Sequence, residues 1–135
     1  MLKDVILGRE LVVSLPNKAG ILADISKVLA DHGINIEGVA GYAEGDDAKI
    51  MIVAEDVLRA KEALEKNGYK GMKENEVLIL DVENKPGALK VVTAKLAKDG
   101  IDLRYIYGTA CPSGCPSKIV IATSANEKAL VSLKG

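Results

Sequence analysis

Six residues, Asn17-Lys18-Ala19-Gly20-Ile21-Leu22, return 67 positions later as Asn84-Lys85-Pro86-Gly87-Ala88-Leu89. At the same offset Asp31-His32-Gly33-Ile34-Asn35-Ile36 returns as Lys98-Asp99-Gly100-Ile101-Asp102-Leu103. Two motifs in one register point to an internal duplication, and each copy must then form the same supersecondary unit. The repeated loop is the first place to look for function.

Each copy reads as a strand end, a tight loop and a helix start. Leu11 to Leu15 and Val77 to Val82 are apolar runs of strand length. Ile21, Leu22, Ile25, Val28 and Leu29 then fall at helical spacing, as do Leu89, Val92 and Leu96 in the second copy. Asn17 and Asn84 are placed to cap those helices within a residue or so, and Pro86 suits a first helical position. Gly20 and Gly87 lack a side chain where the first amides leave the helix, which admits a small anion or another backbone.

In chain order, Val5-Ile6-Leu7 reads as a strand outside the repeat. Gly33 is placed to end the first helix as a glycine beyond the C-cap. Ile34 to Ala43 predicts a strand with a bend at its glycines, Glu44-Gly45-Asp46-Asp47 a turn, and Lys49 to Ala54 a buried strand. A second helix runs from Asp56 to Lys66, and Tyr69 to Lys73 reads as a closing strand. The second copy repeats this order, with Ser124 to Glu127 as a capping box for the last helix, but no closing strand follows. The expected division is 1–74, with 1–8 as an additional N-terminal segment, and 75–135. The segment Lys3 to Leu7 is expected to pair at an open sheet edge, preferentially beside Val77 to Val82.

A duplicated βαββαβ order with an Asn-Lys-Pro-Gly-x-Leu turn before the first helix resembles the ACT domain family, in particular small proteins made of two tandem ACT domains. The resemblance spans about residues 9 to 133. It implies an α+β fold of two ferredoxin-like units, with antiparallel sheets carrying helices on one face. It also implies a regulatory, non-enzymatic protein that binds an amino acid near a domain interface, acts as a homodimer and signals to a protein partner. By that resemblance the ligand is held by Asn17, Lys18, Ala19, Gly20, Ile21 and Leu22, by Asn84, Lys85, Pro86, Gly87, Ala88 and Leu89, and by Asn35 and Asp102 at the next strand. The chemistry is coherent: helix-start amides suit a carboxylate, and an Asn amide can serve both an ammonium and a carboxylate. Ala19, standing where the family has proline, leaves the first loop less pre-set.

Other chemistries find less in the chain. A net charge of −1 and the absence of Phe and Trp give no platform for nucleic acid. The apolar runs are too short for a membrane span, and the first eight residues do not make a signal peptide, so a cytoplasmic setting is expected. No cofactor motif is present, and the lone His32 is placed to cap helix carbonyls. Cys111 and Cys115, in a Pro/Gly-rich loop, are the alternative: a redox-sensing or metal-binding pair. In a reducing compartment two free thiols are expected, and replacing both is expected to leave ligand binding within about threefold.

Overall fold

The computed structural model describes residues 2–135. The chain runs β1 (Leu2–Pro16), α1 (Ile21–Asp31), β2 (Ile36–Glu44), β3 (Asp47–Ala54), α2 (Val57–Lys66), β4 (Lys73–Val82), α3 (Ala88–Lys98), β5 (Leu103–Gly108), β6 (Ser117–Thr123) and α4 (Asn126–Lys134). It is an α+β fold in which the ferredoxin-like βαββαβ pattern occurs twice. Two compact units form: Arg9–Asn75, and Met1–Gly8 together with Glu76–Gly135.

In the Arg9–Asn75 unit the strand order is β2-β3-β1, all antiparallel, with Leu11↔Ile52 and Ile36↔Ala54 at one end and Pro16↔Asp47 and Glu44↔Asp47 at the other. Its core is Leu11, Val13, Ile50 and Ile52 from the strands against Ile21, Ile25, Leu29, Ala60 and Leu64 from α1 and α2. The β2 burial alternates while β3 is buried almost throughout, as expected of an edge and an interior strand. In the other unit the order is β1-β4-β6-β5, and Leu78, Leu80 and Ile121 pack with Val92, Leu96, Ala129 and Leu133.

The strand β1 departs from the expected pair of short strands by running unbroken through Gly8, Arg9 and Glu10. Gly8 is part of the strand rather than a break, and its lack of a side chain admits Ile79, whose Cδ1 would lie 2.5 Å from a Cβ there. Val5 is buried among Leu78, Leu80 and Val82, so the N-terminal residues lie beside the strand the second copy would otherwise leave uncovered. The closing strand expected at Tyr69 to Lys73 is likewise absent as a separate element. Gly68 and Gly71 take positive φ, and the chain enters β4 directly at Lys73.

Helix ends follow the duplication. At α1 the N–H of Ile34 reaches Leu29 O at 2.9 Å, and at α3 the N–H of Ile101 reaches Leu96 O at 2.9 Å; Gly33 and Gly100 share φ 69. These are Schellman closures, and a Cβ at that φ would be strained. The His32 Nδ1 donates to Val28 O at 2.8 Å, which is the capping role expected of it. Asp56 caps α2 by accepting from the Arg59 N–H at 3.0 Å. The expected Ser124 capping box does not form. Helix α4 begins at Asn126, whose Oδ1 accepts from the Thr123 N–H and hydroxyl while its Nδ2 donates to Glu76 O. Among the described residues no helix is long and apolar enough to cross a membrane.

Candidate functional site

The repeated loops share one backbone. The N-caps of α1 and α3 are Gly20 at φ 90 and Gly87 at φ 87, with no side-chain cap. The expectation that Asn17 and Asn84 cap these helices is therefore corrected: they sit three residues earlier, and Pro86 lies before the cap rather than inside the helix. The glycines are required because the left-handed conformation crowds any Cβ against the backbone. The Gly20 position itself is open, with nothing within 4 Å of an added Cβ.

In the second copy this loop forms one wall of a cleft of about 500 Å³, within the range of small-molecule sites. Glu83, Asn84 and Lys85 meet Ala88 and Leu89 of α3 there, facing Ile106 to Ala110 and Ser117. Leu89 and Ile106 are 48% and 40% exposed, so the cleft presents two large apolar side chains to solvent. Leu89 was expected in the helix's inward stripe; Ala88 takes that place, and Leu22 is turned outward in the same way in the first copy. Helical carbonyls one turn back are missing for the Leu89 and Lys90 amides, because the residues four earlier lie outside α3. The Ala88 N–H is taken by Lys85 O at 3.2 Å. Lys85 Nζ stands 3.1 Å from the Glu83 carboxylate, and this ammonium is the leading cause holding Glu83 below the ordinary carboxylate range. Asn84 Nδ2 donates to Cys111 O in the β5–β6 connection at 3.4 Å.

The first copy differs at the same end. The β2–β3 ladder continues through Tyr42↔Lys49 and Ala43↔Ala48 to a two-residue turn, and the Asn17 N–H is bound by Asp46 O at 2.7 Å. A cleft of about 610 Å³ lies there, but it is lined by Ser14 to Pro16, Tyr42, Glu44 and Asp47 to Lys49. Asn17, Lys18, Ala19, Gly20, Ile21 and Leu22 do not line it. The cause is the hairpin. Eight residues separate Gly41 from its partner Ile50, and ten separate Gly108 from Ile119. The longer connection ends the second ladder early, opening space beside Asn84. Gly108 admits no Cβ, which would stand 2.6 Å from Lys118 O.

Asn35 and Asp102 are not brought to these loops. Both are exposed and precede the far ends of β2 and β5, roughly 20–30 Å of strand away at ~3.3 Å per residue. Asp102 instead borders a separate hollow with Thr93, Ala97 and Leu103. Sequence reasoning missed Ile106, Tyr107, Gly108, Thr109 and Ser117. The longer second hairpin was the available signal.

Cys111 and Cys115 form a disulfide, with Cα atoms 5.4 Å apart. This corrects the expectation of two free thiols. Both sulfurs are spent, so neither is a thiolate ligand in this state, and among the described residues no group of three or more His, Cys, Asp and Glu is placed to hold a metal.

No curated protein sequence matches the chain. A crystal structure of a protein from Bacteroides thetaiotaomicron is similar at 27% identity and TM-score 0.88, covering 96% of this chain and 88% of that one. The ligand-free regulatory subunit of aspartate kinase from Thermus thermophilus matches at TM-score 0.70 and 17% identity, covering 99% and 97%. The same subunit from Thermus flavus matches at 0.60 and 17%, covering 98% and 96%. At those identities the two Thermus likenesses establish the fold. Residues 9–66, the larger part of the Arg9–Asn75 unit, match the family model described as ACT domain.

Proposed function

We propose that both copies are ACT domains in tandem and that the chain is a non-catalytic regulatory protein whose second copy binds an amino acid. The observation that carries this reading is the cleft lined by Asn84, Lys85, Ala88 and Leu89, where the start of α3, an Asn side chain and two exposed apolar side chains meet. A carboxylate at the Leu89 and Lys90 amides lies at the positive end of α3. The Asn84 amide serves the ammonium, and an aliphatic side chain covers Leu89 and Ile106. The first loop, Asn17 to Leu22, is the weaker or silent member. Asn35 and Asp102 then act only where another domain or subunit brings them to a loop. The similar Thermus structures are regulatory subunits of aspartate kinase, which accords with this reading. Ligand state passes to a protein partner through a shift in domain or subunit geometry, within a cytoplasmic homodimer that needs no cofactor.

A thermal-shift screen against the twenty amino acids tests this. A ligand at 100 times its Kd stabilises the native state by about 2.7 kcal/mol. No stabilisation by any of them would remove the amino-acid reading.

A further inference from the structure

We propose that the Cys111–Cys115 disulfide is a redox latch on the second copy's cleft, holding it competent when oxidised and loosening it when reduced. The consequence for binding rests on the ligand-site reading above. The latch itself rests on how the loop is held. Between Gly108 and Ser117 the chain belongs to no helix or strand, and the Thr109 N–H to Lys118 O bond is the last rung of the β5–β6 ladder. Beyond that rung the disulfide closes the loop tip. The same tip supplies the carbonyl to which Asn84 donates, so the cleft's two walls are joined through Cys111. Thr109, Ala110 and Ser117, which flank the bridged tip, line the cleft directly.

Cys115 is exposed and Cys111 half-buried, so Cys115 is the more accessible of the two to an incoming thiol. A dithiol reductant attacks there as thiolate, breaking the Cys111–Cys115 bond and forming a mixed disulfide, while Cys111 leaves as thiolate and takes a proton. The reductant's second thiolate then attacks its own mixed-disulfide sulfur and releases Cys115, which is protonated. Two electrons and two protons pass to the protein, and the dithiol becomes a cyclic disulfide. The freed tip gains conformational freedom, and Asn84 loses its fixed acceptor. The first copy has no such device, since its hairpin closes in a two-residue turn without cysteine. This reverses the sequence-based expectation that the cysteines are dispensable for binding.

The test compares the full chain, oxidised and after dithiothreitol, by amide hydrogen exchange without added ligand. Reduction is expected to speed exchange at least about fivefold both at the hydrogen-bonded Thr109 amide beside the tip and across the cleft at the Lys85 and Ala88 amides. Leu78–Leu80 and Val120–Ala122 should stay protected. Change confined to the tip, no change, or loss of protection through the β4 and β6 core would each overturn the latch. The C111S/C115S chain should show the reduced pattern with or without dithiothreitol; a response to dithiothreitol in that chain would also overturn it. In parallel, the twenty amino acids are screened against both states, and any that binds the oxidised form should bind the reduced form at least about fivefold more weakly. Equal binding overturns the latch. Failure of all twenty in both states removes the amino-acid reading alone, and the exchange data still decide the latch.

Discussion

The two copies share a loop, a left-handed glycine at the helix start, an outward leucine after it and a Schellman closure at the helix end, yet the sheet ends beside that loop differ. In the first, β2 and β3 stay paired to a two-residue turn, and that turn's Asp46 carbonyl takes the Asn17 amide. In the second, two further hairpin residues end the pairing early, and a cleft opens between Asn84 and the β5–β6 connection. The copy that matches the ACT domain model is thus not the copy whose repeated loop lines a cleft. A duplicated motif fixes a backbone; whether that backbone faces a cavity depends on the neighbouring hairpin.

The largest expected effect sharpens the contrast at β1, whose two halves belong to different units. Val5→Asp places a carboxylate among Leu78, Leu80 and Val82 and should destabilise the Glu76–Gly135 unit by about 3 kcal/mol or more. Ile6→Asp, one residue along and 49% exposed, should cost under ~0.5 kcal/mol. Urea melts followed by exchange protection at Val120–Ala122 distinguish the two. Equal effects would mean that the N-terminal half does not close the second sheet.

Next, Gly20→Ala and Gly87→Ala should each cost about 1–2 kcal/mol in a denaturant melt, because both residues sit near φ +90. A large difference between them would break the claim of a shared backbone. Binding should then separate the copies. Asn84→Ala is expected to weaken the best-stabilising amino acid about tenfold, about 1.4 kcal/mol, and Asn17→Ala to leave it unchanged in calorimetry. The reverse ranking would move the site to the first copy.

The smallest effect concerns Glu83, which the 67-residue register places opposite Pro16 in the first copy. Its carboxyl is lowered by Lys85, so its stabilisation is present above the unfolded pKa and is lost as pH falls through the lower folded one. Glu83→Gln should therefore differ from the parent at neutral pH and converge with it in acid melts. A gap that persists at low pH would point to another cause.

The duplication, the helices and the Asp56 cap were legible because they depend on local patterning and short-range chemistry. The caps at Gly20 and Gly87 were not, since Asn is the commoner cap and positive φ leaves no mark beyond a glycine. The merging of Val5–Leu7 with Leu11–Leu15 was hidden for a related reason: Gly8 reads as a break, while its use here is the close approach of Ile79. The cleft needed residues from two strands and a loop at separations the sequence does not declare. Only Asn84, Lys85, Ala88 and Leu89 could be named in advance, and Pro86 and Gly87 of the same motif do not line it. Asn35 and Asp102 were assigned from the family resemblance, and strand length carries them to the other end.

The most direct test is an amide chemical-shift titration of the labelled full chain with the amino acid that stabilises it most. Perturbations should centre on Glu83–Leu89 and Ile106–Ser117, and Asn17–Leu22 and Tyr42–Ala48 should stay in place. Shifts centred on the first copy's loop, or none with any of the twenty amino acids, would contradict the account.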